Sequence, residues 1–501
     1  MGILLDLDRV GPGWTGLDRP GRSLEAKHRQ TRVLEFVTDT KEGVDPTAAE
    51  RACLDQLVVG VQAQSRGRSS RGIASAVSRL VREGDLAPGA RLPTVRALAE
   101  RLGTSPTTVS EAWHTLARSG LIDPKGRLGT FVRDERRPVG SRRYRTVTQR
   151  PSPFRLDLST GVPDPDLLPD LRRAVERVSR RSLTSSYLDE PLLPALDETL
   201  RESWAFVPEA LTVVDGAMDA LDRVLSAIVR MGDRVIVEDP SFPPVLDLLD
   251  QLGVQSVGVE VDDEGIVASS LAAALRLGPV ALVTQPRAQN PLGVSTSAVR
   301  AAALASLLAP TNVVVIEDDH AGDIAVAPLA SIGAHLPDRT VLVRSFSKSH
   351  GPDLRLAAVG GSAAVITPLV ERRLLGPGWS SRLLQAVLLE MLRDSVNVAA
   401  VRDARDEYAR RRSAMVSALN NRGVTTHGTD GINLWVDVVD EKAAALSLLV
   451  DGVGAAPGSA FMLGSPTQHH LRFTVGLVSE RFDQLADAIA SAAGEAGAGR
   501  S

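Results

Sequence analysis

The chain has 501 residues, 43% of them hydrophobic and 24% charged, with a net charge of −4 and a pI near 6.1. That is ordinary globular composition; it leaves room for about two to four domains and excludes a chain that is basic throughout. The single cysteine, Cys53, excludes an internal disulfide framework and fits a reducing cytoplasm. No apolar run is long enough to span a bilayer, and Ile3-Leu4-Leu5, followed at once by Asp6 and Asp8, is too short for a secretory signal core.

Residues 1–68 carry no evident chemistry and are expected to be an extension: an interaction arm or a disordered leader. Within them the spacing of Ala49, Cys53, Leu54, Leu57, Val58 and Val61 predicts one helix over residues 46–61. From Arg71 the pattern sharpens. Ile73, Val77, Leu80 and Val81 predict a helix over residues 73–82 that stops at Gly84. Thr94 caps a second helix over residues 95–102, broken by Gly103. Ser105-Pro106 opens a third, because serine is a good N-cap and proline is tolerated at the first helical position. Val109, Trp113 and Leu116 then face inward up to Gly120. Two short helices joined at a glycine read as a helix-turn-helix, and Lys125-Gly126-Arg127-Leu128-Gly129 before Thr130-Phe131-Val132 reads as a hairpin wing. A plain helical hairpin with a β-turn has the same spacing.

Residues 135–156 are crowded with arginine and proline and read as a basic, flexible linker. Beyond them strands and helices alternate over residues 157–495. Strand-like runs lie at 234–237, 280–284, 313–316, 341–343 and 356–359, which gives an α/β domain with a largely parallel or mixed sheet. The tail, from about residue 380, forms a smaller C-terminal α/β subdomain with strands near 432–438 and 471–475. His469-His470 suggests no metal, because neighbouring strand residues point to opposite faces.

In open α/β sheets the site lies beyond the carboxyl ends of the strands, and polar groups cluster there. Lys348 follows one strand among Ser345, Ser347 and Arg355. A lone lysine after a strand is ordinarily a solvated surface residue. With hydroxyls and a guanidinium around it, it suits a Schiff base with an aldehyde cofactor that carries a phosphate. The other groups fit pyridoxal 5'-phosphate. Asp318 is placed to keep a pyridine nitrogen protonated, Asn290 to donate to the phenolic oxygen, and Phe242 to stack on the ring. The amides of Ala217 and Met218 open a helix that can receive the phosphate, and Arg472 can grip a substrate or effector carboxylate. Each has a structural alternative: Asp318 a cap, Phe242 core, Arg472 a strand surface.

Two resemblances sharpen this reading. Arg91-Leu92-Pro93-Thr94-Val95-Arg96-Ala97-Leu98-Ala99, Leu102-Gly103-Thr104-Ser105, Thr107-Thr108-Val109 and Gly129-Thr130-Phe131-Val132 resemble the GntR-type winged helix-turn-helix, over residues 69–134. The resemblance implies that the third helix enters the DNA major groove, with Arg96, Thr107, Thr108 and His114 as contacts and Arg127 on the wing. Arginines common in that family are replaced by Pro106 and Ser110, so fewer guanine contacts are expected. Gly216-Ala217-Met218, Glu238-Asp239-Pro240, Asn290-Pro291-Leu292-Gly293, Glu317-Asp318-Asp319, Ser345-Phe346-Ser347-Lys348 and Leu471-Arg472 resemble the fold-type I, class I/II aminotransferases. The fusion is similar to MocR-type regulators. This implies a PLP-dependent transcription regulator, a cytoplasmic homodimer that binds an operator and senses an amino compound or PLP. The alternative is an active aminotransferase carrying a DNA-binding module. His320 stands where that family usually has tyrosine near the phenolic oxygen. Tyr187 matches a tyrosine that reaches the partner subunit's phosphate, although Leu188 and Leu192 replace the usual glycines.

Overall fold

The computed structural model describes residues 46–62, 68–133, 142–148, 154–179, 186 and 189–494. Residues 1–45, on which most of the expected extension falls, lie outside the described residues. No helix among those described is long and apolar enough to cross a membrane.

The first element is α1 (Pro46–Gln62), one residue longer than expected. A three-helix core with a small sheet follows: α2 (Ser70–Glu83), β1 (Arg91–Leu92), α3 (Val95–Leu102), α4 (Pro106–Arg118), β2 (Ile122–Pro124) and β3 (Thr130–Val132). The caps sit where the sequence puts them. The side chains of Ser69, Thr94 and Ser105 accept from Gly72, Ala97 and Thr108, satisfying first-turn amides that have no helical carbonyl to meet. β3 pairs with β2 and β1, both antiparallel, across the turn Gly126–Leu128, so the wing has a third strand. Leu57, Ile73, Val77, Leu98, Val109 and Leu116 are all fully buried in one cluster.

The linker is more ordered than a tether. It contains helix α5 (Arg142–Thr148). Asp247 explains why it forms: its two carboxylate oxygens accept from the amides of Arg143 and Tyr144, while Arg143 Nη1 reaches Asp250 Oδ2 at 2.6 Å. An acidic pair in another helix thus meets the N-terminal amides and the charge that the sequence alone leaves unpartnered.

Strand β4 (Leu156–Asp157) leads through α6 (Leu171–Ser179) and α7 (Pro194–Glu202) into the large domain. Its strands are β5 (Ala210–Val214), β6 (Arg234–Glu238), β7 (Gln255–Val259), a hairpin of β8 (Val261–Asp262) and β9 (Gly265–Ile266), then β10 (Ala281–Thr284), β11 (Val314–Asp319), β12 (Thr340–Ser345) and β13 (Ala357–Gly361). The main sheet has seven strands in the order β5-β13-β12-β11-β10-β6-β7. β13 alone runs against its neighbours. Alternation along the strands separates two faces. Val341 and Val343 pack under α8 (Ala217–Ile228) and α9 (Pro243–Leu252), while Leu342 packs on the other side.

The tail has strands β14 (Thr426–His427), β15 (Asn433–Val438), β16 (Val453–Gly454), β17 (Ala456–Pro457) and β18 (His469–Thr474); a second sheet runs β14-β15-β18-β17, while β16 pairs with β4.

The winged helix rests on the amino-terminal ends of β6 and β7. Gln255 Nε2 donates to Glu111 Oε1 at 2.9 Å, Arg71 lies 3.5 Å from Asp233, and Met231 packs into the winged-helix core. The approach needs a glycine: a Cβ on Gly232, where φ is +81°, would fall 2.8 Å from the Arg71 side chain. Leu116 stands at the centre of the winged-helix core. Leu116→Ala is expected to cost about 2–5 kcal/mol in urea-unfolding experiments.

Candidate functional site

Lys348 lies in the turn after β12 and is half-buried there. Burial pushes its amine down to about 8, against the opposing pull of Asp318; Arg472 adds to the fall. A neutral, nucleophilic amine is therefore available near neutral pH. Nζ is 3.1 Å from His320 Nδ1, and His320 Nε2 is 2.9 Å from the Ala288 carbonyl oxygen. Burial, with the charge of Lys348 beside it, holds the imidazole well below its usual range, so it is neutral.

Asp318 is buried in β11. One oxygen, Oδ2, accepts from Gln285 Nε2 at 2.8 Å, while Oδ1 has no partner among the described residues. Burial raises its carboxyl to about 6, only partly offset by Gln285 and Lys348. An orphaned buried oxygen is costly, and a protonated ring nitrogen is a donor of the right kind to meet it. Gln285 is the member that the sequence reading passed over. Its Oε1 accepts from the Asn290 amide at 2.8 Å, so one side chain ties Asp318 to Asn290. Glu238 in turn accepts from the Gln285 amide and from Thr284 and Gln289; burial raises its carboxyl to about 7. A glutamine after a strand signals little by itself, because one of its partners, Asp318, comes from a strand 33 residues away in the chain.

Arg472, on β18, is buried, with its guanidinium 5.4 Å from the Phe461 ring centroid. Nη2 donates to the Ser159 carbonyl, Nη1 is 3.5 Å from Asn290 Oδ1, and Nε has no partner. Burial lowers it to about 10, opposed by Asp157 and by Tyr144 of α5. At the other end Gly216, with φ of +103°, starts α8 without a side-chain cap. The first-turn amides at Ala217 and Met218 therefore have no capping side chain. Arg355 holds a left-handed φ of +49° and donates to the Asp215 carbonyl at 3.2 Å. A Cβ on Gly216 would come 3.1 Å from that guanidinium, so the two features form one basic cradle. Ser345 Oγ accepts from the Ser347 amide at 3.3 Å nearby in the chain. An open set of amides with an arginine, together with a lysine of lowered basicity and an unmatched carboxylate oxygen, fits pyridoxal phosphate.

Phe242 is half-buried at the start of α9, apart from these hydrogen bonds. Tyr187 lies outside the described residues. Arg96, Thr107 and His114 are exposed on the winged helix; Thr108 is half-buried and shares a 2.8 Å hydrogen bond with Ser105. Arg127 is on the wing turn. A second polar cluster lies farther along β18. His427 and His470 approach Asp437 Oδ1 at 2.7 and 3.3 Å, a grouping drawn from three strands. The sequence reading considered only His469 and His470, which do differ in exposure.

Residues 155–489 match the family described as Aminotransferase class I and II, and residues 69–132 match Bacterial regulatory proteins, gntR family. The chain is 35% identical over 420 residues to the vitamin B6 salvage pathway transcriptional repressor PtsJ of Salmonella typhimurium, covering 83% of this chain and 96% of that one. It is 28% identical over 445 residues to the HTH-type pyridoxine biosynthesis transcriptional regulator PdxR of Corynebacterium glutamicum, covering 81% and 94%. The α-aminoadipate aminotransferase LysN of Thermus thermophilus, solved in complex with N-(5'-phosphopyridoxyl)-L-leucine, shares the fold with a TM-score of 0.62 at 22% identity, over 71% of this chain and 96% of that one.

The lowered amine has a direct readout. Acylation of Lys348 in cofactor-free protein, followed by peptide mass, is expected to reach half its maximal rate near pH 8. Asp318→Asn removes the charge that favours the ammonium, so the midpoint should move lower; a midpoint in the ordinary lysine range would contradict the buried geometry.

Proposed function

Because the chain belongs to the MocR-type transcription regulators, which join a gntR-type winged helix to a class I and II aminotransferase domain, we propose that pyridoxal phosphate at Lys348 sets how the winged helix meets DNA. The protein is a DNA-binding regulator with a PLP-binding, aminotransferase-like domain. Both relatives named above concern vitamin B6 or pyridoxine, which favours the cofactor itself as effector over another amino compound. We assign it to the cytoplasm, as a homodimer on an operator.

When bound, PLP supplies an aldehyde and an electron-withdrawing ring. In our reading Lys348 is the amine that captures the aldehyde, and Asp318 Oδ1 accepts from the ring nitrogen. Asn290 and His320 line the side of the phenolic oxygen, and Phe242 covers the ring. Ala217, Met218, Ser345, Ser347 and Arg355 take the phosphate, joined by Tyr187 from the second subunit. Arg472 holds a carboxylate. On the DNA side Arg96, Thr107, Thr108, His114 and Arg127 make the contacts.

One observation carries the regulatory reading: the linker helix packs against residues that back the site. Val147 of α5 is buried in a cluster with Phe461 and Trp435, and Phe461 lies under Arg472. α5 also lies on α9, which Phe242 immediately precedes. Occupancy that moves Phe461, Arg472 or Phe242 therefore bears on the segment leading to the winged helix. A retained amine site also suits an aminotransferase; turnover of an amino donor with a keto acid, beyond one equivalent per site, would move the protein to that class.

The test is anisotropy of a labelled duplex from the region upstream of the protein's own gene, with and without PLP. We expect PLP to change affinity about tenfold in the wild type. Val147→Asp should keep the visible absorbance of lysine-bound PLP and lose that response. A Lys348→Ala protein that still responds in full would defeat the reading. A second outcome concerns docking. Glu111 falls between Thr107 and His114 on one face of α4 and is held by Gln255. Gln255→Ala should therefore tighten DNA binding by about two- to tenfold, by freeing that face.

A further inference from the structure

The His320 ring is fixed in one tautomer. Nε2 lies 2.9 Å from the Ala288 carbonyl oxygen, and a carbonyl can only accept, so Nε2 carries the ring proton. Nδ1 then has only a lone pair, and it points at Lys348 Nζ, 3.1 Å away. The carbonyl is itself held in place. Ala288 adopts a left-handed φ of +47°, and its amide donates to Ser295 Oγ at 2.9 Å. His320 is 7% exposed, so its ring is largely shielded from solvent.

We infer that His320 is a fixed acceptor for the Lys348 nitrogen, and that it keeps the imine formed by that nitrogen protonated to higher pH than a pocket without an acceptor would. The inference rests on the PLP reading given above. Lys348 amine and the aldehyde condense to an imine with loss of one water, so the imine nitrogen is the lysine's own and stays tethered beside Nδ1. Protonated, it donates to Nδ1. Neutral, it sets its lone pair against another lone pair. A hydrogen bond available only to the charged form raises the pKa. The surrounding charges act in both directions. Asp318 and Asp319 on β11 favour the proton, whereas Arg472 on β18 and Arg287 after β10 oppose it. Arg287 is largely neutralised by its paired contacts with Asp319, both 2.8 Å. A phenol at residue 320 would behave oppositely, since it brings a hydroxyl proton to donate.

Two measurements on the full-length protein test this. Long-range proton–nitrogen spectra of the cofactor-free, ¹⁵N-histidine-labelled chain, with His320 assigned by its loss in His320→Phe, should show Nε2 protonated and Nδ1 bare. A proton on Nδ1 overturns the proposal without reference to PLP. Absorbance titration of the PLP-loaded protein from acid to alkaline pH then reads the imine. The midpoint should fall by at least about one unit, a tenfold change, in His320→Phe. It should be largely restored in His320→Asn, whose side-chain oxygen can accept. An unchanged midpoint in both variants, each showing full band intensity, overturns the proposal. Absence of any band in the wild type overturns the PLP reading, and the tautomer result stands or falls separately.

Discussion

The structure depends on one constraint: an amine that must be uncharged is held among groups that would charge it. Burial drives Lys348 toward neutrality, Asp318 pulls the other way, and His320 offers a lone pair that suits either state. The architecture around them follows from making this tolerable. Asp318 lies within β11, where Gln285 satisfies one oxygen, and Glu238 steadies Gln285. Glu317, the next residue on the strand, turns to the other face and is satisfied by Ser331 and the Ile332 amide. Adjacent carboxylates on one strand thus serve different surroundings, which is possible only because side chains alternate.

Most of the fold was legible because local rules and the global pattern agree. Thr94 and Ser105 cap where capping residues should, and the second helix has the bounds that its spacing implies. Five of the seven large-sheet strands stand out as apolar runs. Of the two edge strands, β7 does not, because Gln255-Ser256-Val257-Gly258-Val259 mixes polar residues with a glycine on a partly covered edge; β5, Ala210-Leu211-Thr212-Val213-Val214, is apolar enough to have been read but was not. Sequence reading also ended β11 before Glu317, since three acids in a row look like a loop. They continue the strand because each carboxylate finds partners from neighbouring strands or loops, which no local rule reveals.

The residues proposed for the cofactor were read as a set, through motifs at strand ends, and Lys348, His320, Asp318, Asn290 and Arg472 do lie within one network. What they lean on was not legible. Gln285, the Ala288 carbonyl and Val147 matter through contacts with residues far away in the chain. The linker is the plainest case. Its arginines and prolines describe a tether, and nothing in residues 142–148 names Asp247 and Asp250 as the groups that turn part of it into a helix.

That attachment has a consequence for the conditions in which the protein works. The pocket and the winged helix lie at opposite ends of strands about five residues long, with a stiff sheet of roughly 17 Å between them. The linker helix packs on α9, which covers one face of that sheet, and is fastened partly by charge, Arg143 against Asp247 and Asp250. Dissolved ions weaken such pairs where solvent reaches them, and they also weaken contacts to nucleic-acid phosphates. A rise in salt would thus press on the protein twice, on contacts between the winged helix and DNA phosphates and on the ion pairs that fasten the linker helix to the large domain.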